Sequence, residues 1–309
     1  MINRYVALLL CSATLFMQAC NTKTSEDNSN AAKDTIESAN SANSTASRSS
    51  AAADQAGLEN YWNNINFSDT ATILSPDYGE QKFVDFINIF PRYITEQIAT
   101  AIDSLIQKSS IEPKVQSHFE ELLSRYLYDI NSPFYNESYY TIALESLLKS
   151  KTVSADAKKR YQILYRLANR NNVGNIATDF TYTTASGEHT LLKLSNKYIV
   201  LFFYEPGCSS CAEHIKTLKP LAEFNQLIAN NIIDMLAIYP DGNKAIWESY
   251  KENIPTNWIN GIDSKQTILK KGLYDLKASP TIYLLDKDKK VILKDTNLNT
   301  LLSYLGNLK

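Results

Sequence analysis

An apolar run with strand character, Val200-Leu201-Phe202-Phe203-Tyr204, stops at Glu205-Pro206-Gly207 and hands two cysteines, Cys208 and Cys211, to the start of a helix. No other stretch constrains the chain as strongly. A short Val/Phe/Tyr run reads as a buried strand, and Pro-Gly is a strong stop signal. A thiol at a helix N-terminus faces unpaired backbone N–H groups and the positive end of the macrodipole, which favour thiolate over thiol. Free cysteine titrates near ~8.5, and such placement lowers this to about 3.5 to 7.5. Cys208 is therefore the candidate nucleophile. Cys211, one turn deeper on the same helix face, can close a disulfide with it.

Cys-x-x-Cys also occurs as half of a zinc site. A structural zinc usually wants four Cys or His ligands. Here there is no second Cys pair and no His-x3-His, and His118, His189 and His214 are scattered. The expectation is no metal and no separate cofactor, with a redox-active Cys208–Cys211 disulfide in their place.

The 309 residues suffice for two domains plus extensions, and 44% hydrophobic with 21% charged residues is a globular composition. A net charge of −2, with no basic stripe interleaved with aromatics, leaves no footprint for nucleic acid. The nineteen tyrosines sit mostly at helical or strand spacing beside Leu and Ile, which packing explains.

At the N-terminus, Arg4 precedes an apolar segment from Tyr5 to Met17, the charged-then-hydrophobic order of a secretory signal. It is short for a membrane span. The following Met17-Gln18-Ala19-Cys20 resembles the lipobox of bacterial lipoproteins, with Met17 where Leu is more usual and Gln18 in place of a small residue. That resemblance implies cleavage after residue 19 and a lipid anchor on Cys20. Cys208 and Cys211 would then be the other cysteines kept. An ordinary signal peptide or uncleaved anchor, with Cys20 incidental, is the alternative. Residues 20–57 are Ser, Asn, Ala, Thr, Lys and Asp with almost no large apolar side chains. They cannot bury enough surface to offset ordering entropy, so they read as a disordered tether.

Residues 58–172 read as an all-α domain. Phe83, Phe86, Ile87 and Phe90 recur at helical spacing, as do Ile94, Ile98, Ile102, Leu105 and Ile106, and Val115, Phe119, Leu122, Leu123, Tyr126 and Leu127. Two further sets follow, one around Tyr140, Leu144 and Leu147 and one around Tyr161, Leu164 and Leu167. Each is one buried helix face. Pro91, Pro113 and Pro133 mark starts or stops, giving about four to six helices. No catalytic motif is visible there.

Residues 175–309 change to α/β. Phe180–Thr183 and Leu191–Leu194 flank a Ser186-Gly187 hairpin signal, Tyr198–Tyr204 is the strand feeding the cysteines, and Ile232–Tyr239 is a second buried strand. A helix from Cys208 to about Ala229 should bend at Pro220. Helices near 245–251 and 265–273, strands Ile282–Leu285 and Val291–Leu293 around an Asp286–Lys290 turn, and a final helix from Leu298 to Leu308 complete the pattern.

Together, Phe203-Tyr204-Glu205-Pro206-Gly207-Cys208-Ser209-Ser210-Cys211 and Ala278-Ser279-Pro280-Thr281-Ile282-Tyr283-Leu284-Leu285-Asp286 resemble the thioredoxin superfamily. The likeness is closest to the TlpA/ResA-like thiol-disulfide oxidoreductases of the bacterial envelope. It implies a thioredoxin-like C-terminal domain, with a central mixed sheet flanked by helices, behind the all-α domain. It also implies a cis Pro280 packed against the Cys-x-x-Cys, with Ser279 beside it presenting backbone to substrate and Pro206 and Gly207 shaping the approach to Cys208. The sequence departs from the family in three places. Gly207 stands where many members have Trp. Phe202 replaces the buried Asp that takes the second thiol's proton, and His214, beside Glu213, stands where a Glu is common. His214, one turn beyond Cys211, and Glu205 are the candidate proton acceptors.

The leading expectation is an enzyme that reduces protein disulfides through a mixed disulfide on Cys208, resolved by Cys211. By the same resemblance, a membrane electron donor would reset it, in a lipid-anchored envelope protein facing the periplasm. A peroxide reductase on the same fold is an alternative, although the Pro-x3-Thr/Ser-x2-Cys pattern is absent around Cys208. A binding lipoprotein whose helical domain recruits a partner is another.

Overall fold

The structure is a computed structural model and describes residues 57–308. Cys20, the signal segment and nearly all of the tether lie outside the described residues.

The N-terminal part is helical: α1 (Thr70–Ile73), α2 (Gln81–Asn88), α3 (Thr95–Ser109), α4 (Pro113–Leu127), α5 (Glu137–Lys149) and α6 (Ala155–Ala168). Local chemistry starts several of these helices. Asn136 accepts from the Tyr139 N–H at 3.1 Å and Ser154 from the Ala157 N–H at 3.2 Å, each satisfying an otherwise orphaned donor. Pro113 takes the first position of α4, where no N–H is needed. The apolar faces named above close into one core around Trp62, Phe83, Phe86, Leu105 and Phe119, except for Leu167 and for Ile94, which caps α3 and is 63% exposed rather than buried. Trp62 meets Phe86 and Phe119 edge-on at 5.1 and 5.5 Å. A Cβ on Gly79 would come within 1.8 Å of the Ile73 carbonyl oxygen, so only glycine lets α1 lie this close to the following turn.

The C-terminal part is a seven-stranded mixed sheet: β1 (Thr181–Thr184), β2 (Gly187–Thr190), β3 (Tyr198–Phe203), β4 (Ile233–Tyr239), β5 (Ile259–Ile262), β6 (Thr281–Asp286) and β7 (Val291–Leu293). The strand order is β2-β1-β5-β4-β3-β6-β7. β3 runs parallel to β4 and antiparallel to β6. Central strands show their burial on both faces. Val200 and Phe202 join one core with Cys211, Ile215 and Leu218, while Ile199, Leu201 and Phe203 join the other with Phe180, Ile268 and Tyr274. Strand periodicity thus turns one continuous apolar run into two half-cores. The first face is covered by α7 (Ser209–Leu218), α8 (Ala222–Ala229), α9 (Lys244–Tyr250) and α11 (Leu298–Gly306), and the second in part by α10 (Thr267–Lys270). Among the described residues, no helix is long and apolar enough to cross a membrane.

The structure corrects several sequence expectations. The helix expected from Cys208 to Ala229 is two helices, because Leu221 is extended (φ −74°, ψ 103°) after Pro220, and Cys208 is the cap before α7 rather than its first residue. The hairpin's second strand is Gly187–Thr190, not Leu191–Leu194: the two-residue Ala185-Ser186 connection pairs Thr184 with Gly187 at once. Leu191 then starts a buried 3-10 turn. The expected 265–273 helix shrinks to the single turn of α10. Strand β5 has no counterpart in the sequence reading.

Candidate active site

The approach to the cysteines is a turn written into the sequence. The Cys208 N–H donates to the Glu205 carbonyl at 3.1 Å, and Gly207 sits at φ +87°. Proline second and a positive-φ glycine third are the requirements of a type II turn, which accounts for Gly207. The turn leaves Cys208 as the N-cap of α7, with its Sγ accepting from the Cys211 N–H at 3.1 Å. That donor and the helix dipole both favour negative charge on the sulfur.

Cys208 and Cys211 are joined as a disulfide, with Cα atoms 5.3 Å apart. Their environments differ. Cys208 is half-buried, whereas Cys211 is fully enclosed by the core under α7. Of the two sulfurs, solvent reaches Cys208.

Sheet register brings the second motif to the first. Thr281 of β6 pairs with Phe203 of β3, so the residues just before β6 lie beside the turn just after β3. The Ser279–Pro280 peptide is cis, and the Thr281 hydroxyl donates to the Ala278 carbonyl at 2.6 Å across this loop. Cys208 Sγ lies 3.3 Å from the Ser279 carbonyl oxygen. Ser279 and Pro280 thus join Pro206, Gly207, Cys208 and Cys211 in one place.

The candidate proton acceptors fare differently. His214 Nδ1 lies 2.8 Å from the Ser210 carbonyl, which can only accept, so Nδ1 carries the proton and Nε2 is left as the basic nitrogen. The ring is half-buried, 6.5 Å from that of Phe202. Glu205 is exposed, and among the described residues its carboxylate has no hydrogen-bond partner. It does face Tyr239, whose hydroxyl is pushed up to about 12 by burial, by its bond to Asp241 and by the Glu205 charge. Phe202 is fully buried, with its ring 5.9 Å from Trp258.

Two polar groups near the site escaped the sequence reading. Asn260 Oδ1 accepts from Tyr204 at 2.9 Å and from Trp247 Nε1 at 3.0 Å, tying the end of β3 to β5 and α9. Lys277, two residues before Ser279, is buried among acidic side chains, one of them from the helical part. Among the described residues no cluster of three or more His, Cys, Asp or Glu could hold a metal.

A helix-capping Cys-x-x-Cys, a cis-proline loop against it and a mixed sheet carrying both define a thioredoxin-like redox protein. Comparison with known proteins agrees. The chain is 38% identical to a thioredoxin-like protein from Bacteroides caccae, over 82% of this chain and 92% of that one, with a TM-score of 0.74, and it belongs to that thioredoxin-like family. Residues 173–294 match the AhpC/TSA family, and residues 57–171 match a domain of unknown function, DUF5106. The C-terminal domain of an uncharacterized Bacteroides fragilis protein is 41% identical, over 44% of this chain and 99% of that one, at a TM-score of 0.43. A domain of a possible thiol-disulfide isomerase from Cytophaga hutchinsonii is 23% identical, over 45% and 93%, at 0.38. No curated protein matches.

Proposed function

We propose that this protein reduces disulfides in other proteins from a lipid-anchored position in a bacterial envelope, facing the periplasm. The observation that carries the chemistry is Cys208 Sγ itself. It caps α7, takes the Cys211 N–H at 3.1 Å and sits 3.3 Å from the Ser279 carbonyl oxygen.

In the reduced protein the Cys208 thiolate attacks one sulfur of a substrate disulfide. The substrate's other sulfur leaves as a thiolate and takes a proton, leaving a mixed disulfide on Cys208. Cys211 then loses its proton, for which the free Nε2 of His214 is the acceptor, and attacks Cys208 Sγ. The second substrate sulfur leaves and is protonated. Two electrons have passed to the substrate, and Cys208–Cys211 is oxidised, the state described above. A membrane-held dithiol donor would return the pair to its reduced form. The anchor rests on Cys20 in its lipobox-like setting.

The test is to replace Cys211 with serine, which halts the cycle at the mixed disulfide. Envelope extracts should then yield protein adducts on Cys208 that dithiothreitol releases. Absence of adducts with Cys211→Ser, when the reduced variant still alkylates at Cys208, would contradict the proposal.

A further inference from the structure

The helical part meets the segment just before Ser279 at Lys277. Lys277 Nζ donates to Glu137 Oε1 at 2.8 Å, to Asp295 Oδ2 at 2.5 Å and to the Tyr135 hydroxyl at 3.2 Å, using all three of its protons. Asp275 Oδ2 lies 3.3 Å away, and the rings of Tyr128 and Tyr135 stand 4.9 and 5.5 Å from the ammonium. Glu137, Tyr128 and Tyr135 belong to the helical part. Asp275, Lys277 and Asp295 belong to the segments flanking β6 and β7.

Tyr128 donates its hydroxyl to Asp275 Oδ2 at 2.5 Å. Glu137 also takes Lys294 at 2.6 Å through its other oxygen, and Lys294 donates further to the Ala168 carbonyl at 2.7 Å and to Asn172 at 2.9 Å. The Lys277, Asp275 and Asp295 side chains are 7%, 7% and 2% exposed, so water does little to screen them. Asp295 Oδ1 is buried without a partner and three carboxylates share two ammonium groups, so displacing Lys277 would leave buried carboxylates unmatched, and the lysine is held in place. Lys277 stands two residues before Ser279, whose carbonyl touches Cys208, and Asp295 follows β7, next to β6 in the sheet.

We propose that Lys277 is a positioning residue through which the helical part sets the Ser279–Pro280 loop over Cys208 for protein substrates. The inference rests on the exchange reading above. It gives the helical part a role in catalysis without a catalytic residue of its own. Glu137, Tyr128 and Tyr135 hold the segment that a bound polypeptide must lie against, while the sulfur chemistry stays with Cys208 and its cap.

Tyr128→Phe and Glu137→Gln in the full chain test this. The first keeps the ring that stacks on Tyr140 at 4.5 Å and removes only the hydroxyl, and the second keeps the shape of Glu137. The expected result is a rise in KM for insulin reduction of about tenfold, as for a misplaced binding element. The rate at which iodoacetamide alkylates reduced Cys208 should stay within about twofold of the unaltered protein, because its cap is untouched. Unchanged KM in folded variants overturns the proposal, and so does a parallel fall in alkylation, which would mark a general structural loss. If the unaltered protein alkylates at Cys208 yet does not reduce insulin, the exchange reading itself fails and takes this inference with it.

Discussion

Cys208 Sγ and the Ser279 carbonyl oxygen lie 3.3 Å apart although 71 residues separate them in the chain. The one hydrogen bond that sulfur accepts among the described residues comes from the Cys211 N–H, because a disulfide sulfur has no proton to give the carbonyl. Among the described residues no hydroxyl or guanidinium hydrogen-bonds to it. Stopped-flow oxidation of reduced Cys208 by hydrogen peroxide should run no faster, per thiolate, than that of free cysteine. A rate about 10³-fold higher would favour the peroxidase alternative.

His214 carries a second prediction. With Nδ1 committed to the Ser210 carbonyl, Nε2 is the nitrogen left for the proton transfer proposed above. His214→Gln should slow closure of the mixed disulfide by about 10²-fold near neutral pH and leave the first attack unchanged. Quenched-flow trapping separates the two steps, and equal slowing of both would remove His214 from the proton path.

The parts of this fold legible in the sequence are those whose signals are local. The β3 run, the Pro206-Gly207 turn and the Cys208-x-x-Cys211 pair each announce themselves within a few residues. What was missed depends on distant partners. Ile259-Asn260-Gly261-Ile262 carries a turn dipeptide, yet it is strand β5 because Gly261 pairs with Ile238 of β4 and Asn260 is held by Tyr204 and Trp247. Lys277 and Glu137 look like solvated surface charges in sequence, and they meet only because the fold joins positions 140 apart. The Pro220 break reads as a bend in the sequence because a one-residue excursion at Leu221 leaves the apolar spacing nearly intact.

Gly261 offers a test of that missed strand. A Cβ there would stand 2.7 Å from Tyr182 Cδ2 and 2.9 Å from Ile238 Cδ1, and both partners are buried. Gly261→Ala should therefore destabilise the protein by about 1–3 kcal/mol through overpacking. Urea denaturation measures it, and an unchanged midpoint would mean the ring shifts freely.

Stability should also depend on pH through His118. Burial lowers its pKa below the usual 6.5, Glu80 and Glu121 oppose the shift, and Nε2 is buried without a partner. The unfolded chain therefore takes up the proton first, so protonating His118 costs no stability above pH 6.5 and destabilises the fold progressively as pH falls below it. In urea titrations His118→Phe should lose less stability over that range than the unaltered protein. Identical pH profiles would contradict the assignment.

Every step proposed for the cysteine pair depends on the acidity of one sulfur. The pH dependence of iodoacetamide alkylation of Cys208, followed in the reduced protein by mass spectrometry, reads its thiolate fraction directly. The predicted midpoint lies between about 3.5 and 7.5, set by the α7 N-terminus and the Cys211 N–H. A midpoint near ~8.5, that of an ordinary thiol, would contradict it.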